Sequence, residues 1–252
     1  MAYQQRGGGG FGGGGYGRPQ IQIGGPLTPI VKGFLIANGV VFLLTSLLSQ
    51  QYRAEFFQMF GLVPELFWSQ FRVWQLVTFN FLHAGFMHIL FNMFAFWMFG
   101  GDLERLYGRK RFLIFLAITG VGAGLTFAVF NPNALIPVVG ASGIVYGILL
   151  AYGLTYPNRK LYVYFLFPIK VKYFVMILGG LELLLTVQSS NSGVAHLAHL
   201  GGMVFGFLYL RYDRLYMKLR EKYYRRKLDK LKKRYTVIVN KDDDDNDHIT
   251  YH

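Results

Sequence analysis

The stretch Gly140-Ala141-Ser142-Gly143 opens an apolar run that closes at Tyr156-Pro157-Asn158, and the fold turns on how that run is read. A hydroxyl is costly where hydrocarbon is expected unless it has a partner or a task. The glycines around it let backbone pack closely and let amide groups approach a ligand. Ser142 also stands at the start of the expected helix, where unpaired N–H groups and the positive dipole end favour developing negative charge. Those are the conditions that a serine nucleophile needs when it forms an oxyanion. The same residues also make a small-residue packing motif, Gly143-x-x-x-Gly147, with Ser142 bonded to backbone. The rest of the chain decides between the two.

Of the 252 residues, 53% are hydrophobic and 17% aromatic, too apolar for an ordinary soluble domain. The apolar residues come in six blocks, at about 29–49, 84–101, 112–130, 142–157, 168–187 and 194–212. Their lengths suit helices crossing ~30 Å of hydrocarbon, so the expected fold is all-α, a polytopic membrane protein built as a six-helix bundle. Six crossings put both termini on one side. With that side cytoplasmic, every one of the 26 Lys and Arg except Arg53 and Arg72 lies inside, as the positive-inside rule asks.

Three regions follow. Residues 1–28 are Gly-rich with little to bury and are expected to be a disordered cytoplasmic tail; an apolar core that starts so late does not read as a secretory leader. Residues 29–212 form the membrane domain. Residues 213–252 are basic and then acidic, either a helix lying on anionic lipid or a solvated extension. The connection 50–80 carries Phe56, Phe57, Phe60, Phe67, Trp68, Phe71 and Trp74; it is too interrupted to span and is expected to lie in the outer interface. The +13 net charge does not signal nucleic acid, since the Gly-rich tail holds only Arg6 and Arg18 and most other basic residues flank apolar blocks or follow the last one. The absence of cysteine excludes disulfides, thiolate metal sites and a catalytic thiol.

His83, His88, His196 and His199 lie in or beside the apolar blocks, on the outer half in this topology. At 1.5 Å per residue, His88 and His199 reach a similar depth along two inward-running helices. The fourth block is short and pinned at its inner end, so Ser142 should start below the surface, with the preceding loop dipping to reach it. His88 with Asn92, and Ser142 with Tyr146, are i,i+4 pairs that share a face. His199 leads into Gly202 and Gly206, a small face suited to the Gly143/Gly147 face. Polar residues converging on one layer of a membrane bundle point to a functional site.

This combination resembles the rhomboid family of intramembrane serine proteases over roughly residues 29–212. The residues that carry the resemblance are His83-Ala-Gly-Phe-Met-His88-Ile-Leu-Phe-Asn92, Gly100-Gly-Asp-Leu-Glu104 with Gly108, Gly140-Ala-Ser142-Gly143 with Tyr146, and Ala198-His199-x-x-Gly202-x-x-x-Gly206. The resemblance implies Ser142 as nucleophile and His199 as general base. It implies an oxyanion hole from His88, Asn92 and the Ser142 N–H, with Tyr146 packed on the His199 ring. Gly140, Gly143, Gly202, Gly206, His83 and Glu104 would support the site. It implies single-span membrane proteins as substrates and the lipid bilayer as setting, with no nucleic acid, no metal and no cofactor. The expected location is the bacterial plasma (inner) membrane, and the sequence carries no signal for an oligomeric state.

No acidic residue lies in the fourth or sixth block, so the sequence permits a Ser–His dyad, its imidazole held by an aromatic ring. Glu182, alone in the fifth block, is expected to reach for the headgroups. Many rhomboids have Trp-Arg in the outer loop where this chain reads Trp74-Gln75, so a guanidinium anchor is missing. Three other functions fit the sequence less well. A pseudoprotease would lack the nucleophile or the base. A zinc site from the four histidines has no HExxH and no carboxylate within their clusters. A channel or secondary transporter would show an internal repeat.

Overall fold

The computed structural model describes residues 27–163, 167–188, 196–234, 237–239 and 249–251; the Gly-rich stretch 1–26 lies outside them. Helices dominate. The first, α1 (Pro29–Ser46), starts on a proline, whose missing N–H costs nothing at that position. Its remaining orphan donors are met from another helix: Glu104 accepts the Thr28 hydroxyl and the N–H groups of Ile30 and Val31, at 3.1 and 3.0 Å for the two backbone donors. A carboxylate there also complements the helix dipole.

Three short helices follow, α2 (Gln50–Phe60), α3 (Pro64–Ser69) and α4 (Gln75–Thr78), and then a 3-10 turn, Phe79–Phe81. The next pair, α5 (Phe86–Tyr107) and α6 (Arg109–Phe130), is separated by Gly108 alone. Its φ of 76° is a conformation that suits glycine and lets the chain reverse there. Then come α7 (Ser142–Thr155), α8 (Val171–Gln188) and α9 (His196–Arg234). Among the described residues, α1, α5 and α6 are long and apolar enough to cross a membrane, and α7 is a shorter apolar helix of 14 residues.

The core lies where α5, α6 and α7 meet, around Phe96, Phe99, Phe112, Phe115 and Ile148. A smaller cluster of Leu62, Phe67, Phe79 and Ala128 sits under the α2–α4 segment. The outward faces are apolar too: Leu43 and Leu44 on α1, and Met176, Ile177 and Leu184 on α8, are all exposed. Water would penalise such a surface, whereas lipid tails would not.

Two features depart from an all-α reading. The connection between α7 and α8 contains an antiparallel pair, β1 (Lys160–Val163) and β2 (Phe167–Lys170), and a second pair, β3 (Val237–Val239) and β4 (Ile249–Tyr251), follows α9. In addition, α9 runs unbroken through Arg234, so the boundary expected at residue 212 falls inside a helix. Its exposed second half is rich in Lys and Arg, which are good helix formers and need no core to extend it.

Candidate active site

The approach to Ser142 is fixed before the helix begins. Leu62 and Val138 exchange both backbone hydrogen bonds, at 2.9 and 2.8 Å, and Gly140 N–H donates to the Phe79 carbonyl at 2.9 Å. Gly140 has φ of 128°, and a Cβ there would come within 2.7 Å of the His88 ring. Backbone conformation and space both require glycine at that position. Ser142 follows as the first residue of α7. The far end of α7 is tied down as well: Tyr152 OH donates to Asp102 Oδ2 at 3.0 Å, and Arg159 reaches the same oxygen at 2.5 Å.

Small residues bring α9 against α7. A Cβ on Gly202 would lie 2.7 Å from the Gly143 carbonyl carbon, and one on Gly206 would lie 3.5 Å from the Gly147 Cα. At Gly202 the backbones leave no room for a side chain, and at Gly206 they come to ordinary contact distance. His199, three residues before Gly202, therefore faces the start of α7. Its Nε2 lies 2.7 Å from Ser142 Oγ. One turn along α7, the Tyr146 ring stacks on the His199 ring, with centroids 4.4 Å apart and planes 8° from parallel.

The expectation for Glu182 is overturned. It does not reach for headgroups: it is 5% exposed and turned inward between α7 and α9. The Tyr146 hydroxyl donates to its Oε1, His196 Nδ1 lies 2.6 Å from its Oε2, and His199 Nδ1 lies 3.0 Å from its Oε1. The last contact has ion-pair distance but lies off the line of a good N–H···O bond. A buried carboxylate persists where hydrogen-bond partners and nearby cationic groups replace its water; Tyr146 and His196 bond it here, with His199 at ion-pair distance. The acid absent from the fourth and sixth blocks thus comes from the fifth. It also brings a carboxylate from outside the histidine clusters to two of the four histidines.

The His88 ring packs against Gly140. One turn along α5, Asn92 donates one amide N–H to the His88 carbonyl at 2.9 Å, and an amide keeps a second N–H for another acceptor. His83 is buried edge-on to His88, with ring centroids 5.0 Å apart. Its burial, and then the neighbouring His88, push its pKa down to about 4, opposed by the Phe81 backbone.

Ser142, His199, Tyr146, Gly140, Gly143, Gly202 and His88 are therefore gathered in one place, with Asn92 and His83 on its His88 side. Gly206 packs α9 on α7 farther along, and Glu104 lies roughly 24 Å along α5 from His88 at the helical rise, capping α1. Gln75 supplies what Trp74-Gln75 was expected to lack. Buried in the outer segment, its Oε1 accepts from Val63 N–H at 3.1 Å and its Nε2 donates to the Gln58 carbonyl at 3.0 Å. The loop is anchored by an amide in place of a guanidinium. A signal for Glu182 was present in Gly179, which is i−3 to it on α8 and faces Met203 of α9.

A bundle of apolar helices that sets a serine at one helix start against a histidine of its neighbour defines a narrow class of membrane proteins. The chain belongs to the rhomboid family, matching the family model for the rhomboid domain over residues 70–215. It is 32% identical over 177 residues to the rhomboid protease GluP of Bacillus subtilis, covering 69% of this chain and 32% of that protein. It is 33% identical over 135 residues to the putative rhomboid protease YdcA of the same organism, covering 54% and 64% respectively. Similarity to the rhomboid protease GlpG of Haemophilus influenzae is 28% over 189 residues, covering 71% of this chain and 93% of that one. The chain therefore spans less than two thirds of either Bacillus relative.

Proposed function

We propose that the protein is an intramembrane serine protease that cleaves single-span membrane proteins near the outer end of their transmembrane segments. The observation that carries this reading is the 2.7 Å separation of His199 Nε2 from Ser142 Oγ. In this mechanism Ser142 attacks the scissile carbonyl while His199 takes its proton. The tetrahedral oxyanion forms at the α7 N-terminus, where the Ser142 N–H, His88 and the free N–H of Asn92 supply donors. Membrane helices hide their carbonyls in internal hydrogen bonds, so the substrate carries helix-weakening residues at the cut.

The domain crosses the bilayer six times over residues 29–212, with residues 1–28 and 213–252 cytoplasmic, in a bacterial plasma membrane. The supporting pattern is the placement of Lys and Arg, of which only Arg53 and Arg72 fall outside. Mapping the product termini from a reconstituted cleavage reaction tests the whole reading. A cut at the cytoplasmic end of the substrate would contradict it.

A second reading is favoured by one observation. Ligand atoms of Glu182, His196 and His199 all lie within 4.8 Å of one another, a spacing that could close on a divalent cation. Hydrolysis lost in EDTA but retained in Ser142→Ala would favour a metal enzyme over the serine protease.

A further inference from the structure

Stacking on Tyr146 fixes the plane of the His199 ring but not its rotation within that plane. A ring free to turn about its normal can swing Nε2 away from Ser142 while the stack stays intact. Stacking also leaves the tautomer open: Nε2 accepts the serine proton only when the ring hydrogen sits on Nδ1. Something at Nδ1 must supply both constraints.

We propose that Glu182 is a positioning residue for the reaction, the third member of a Ser142–His199–Glu182 group. The proposal rests on the serine protease reading above. Its Oε1 is 3.0 Å from His199 Nδ1 and also receives the Tyr146 hydroxyl, so one oxygen meets both the ring and the residue stacked on it. Its other oxygen is held by His196 Nδ1 at 2.6 Å, which stops the carboxylate from turning away. A carboxylate 3.0 Å from Nδ1 favours the ring hydrogen on that nitrogen, which leaves Nε2 as the lone-pair nitrogen facing Ser142. The angle at the 3.0 Å contact is poor in the unliganded protein, and catalytic hydrogen bonds commonly tighten once substrate binds.

Ser142 Oγ bonds to the scissile carbonyl carbon, the carbonyl π pair moves onto its oxygen, and the Oγ proton passes to His199 Nε2. The imidazolium then gives that proton to the departing amide nitrogen as the C–N bond breaks. Glu182 stays ionised throughout and offsets the positive ring. His196 acts on the reaction only by holding Glu182.

The test uses the full chain in liposomes and compares wild type with Glu182→Gln, Glu182→Asp and Glu182→Ala. The readouts are kcat and KM for a transmembrane substrate, the rate of Ser142 labelling by a fluorophosphonate, and the unfolding temperature. Glu182→Gln is nearly isosteric; it should lower kcat and labelling by about 10²–10⁴-fold, with KM little changed, as loss of the orienting carboxylate does in a soluble triad. Glu182→Asp should recover a large part of that loss. Glu182→Gln with wild-type kcat and labelling would overturn the proposal. So would a loss that Asp does not rescue and that follows the unfolding temperature. An inactive wild type, or an active Ser142→Ala, would instead remove the protease reading beneath it.

Discussion

The Tyr146 and His199 rings are stacked with centroids 4.4 Å apart and planes 8° from parallel, while the Tyr146 hydroxyl donates to Glu182. One side chain therefore touches the base by its face and the carboxylate by its tip. The two roles are separable. Tyr146→Phe keeps the face and loses the tip, and Tyr146→Ala loses both. Turnover should fall modestly in the first and by at least about tenfold more in the second, a step of about 1.4 kcal/mol in the barrier. Equal turnover in the two variants would mean that stacking does not orient His199.

His88 and Asn92 offer a comparison between catalysis and packing. As oxyanion donors they should lose turnover when truncated, and a single such donor is worth about 10²–10³-fold in the best-studied serine protease. Asn92→Ala belongs at the mild end, because one of its N–H groups is already spent on the His88 carbonyl. His88→Ala should be worse, since its ring fills the space against Gly140. Measuring turnover beside unfolding temperature decides the matter. Full activity at a lowered unfolding temperature in both would leave them as packing residues.

Gly202→Ala should damage stability and activity together. The added methyl meets Gly143 backbone, which cannot swing aside as a side chain could, and overpacking of this kind costs about 1–3 kcal/mol. Separating α7 from α9 also stretches the Ser142–His199 contact. Gly33→Ala is the control, because a Cβ there meets nothing within 4 Å. It should unfold no earlier than wild type, given the helix preference for alanine. Similar behaviour of the two variants would contradict the close helix packing.

Stability should fall on acidification through a window set by His83. Its folded-state pKa is pushed down to about 4 from an ordinary 6.5, so the folded protein holds it neutral where the unfolded chain would bind a proton. The contribution is complete above pH 6.5, is lost as pH falls towards 4, and is flat below that. Its full size is roughly 3 kcal/mol. Unfolding temperature measured across this range should fall less steeply in His83→Gln than in wild type, and parallel curves would argue against it.

Gln75→Ala should lower the unfolding temperature. It leaves the buried Val63 N–H without its acceptor, a loss of about 1–3 kcal/mol, whereas the exposed Gln58 carbonyl keeps Arg72 as a donor. An unchanged unfolding temperature would mean that the α2–α4 segment is held by its other contacts, such as the Trp74 bond to the Met59 carbonyl.

Helix positions and the serine–histidine pair were legible in the sequence, because hydropathy blocks and helical spacing are local properties. The fourth block, read as 142–157, forms α7 at Ser142–Thr155, and the first, read as 29–49, forms α1 at Pro29–Ser46. What could not be read is the rotation of one helix against another. A lone carboxylate in an apolar helix looks the same whether it points at headgroups or at a neighbour, and only the packing of α8 turns Glu182 towards His196 and His199. Gln75 was misjudged for a related reason: its amide both accepts and donates, so it holds the Val63 N–H and the Gln58 carbonyl once the loop brings them close. The hairpin β1–β2 was missed because β1 was absorbed into the connection between helices and most of β2 into the fifth block, read from 168.

The central claim, that Ser142 and His199 act as one catalytic unit, is tested most directly by their double mutant. The full chain is reconstituted in liposomes with a single-span substrate, and turnover is measured for wild type, Ser142→Ala, His199→Ala and the two combined. Residues that work as a unit are strongly non-additive, so each single substitution should abolish turnover and the double should be hardly worse than either. Losses that simply multiply in the double mutant, or cleavage that survives Ser142→Ala, would contradict the account.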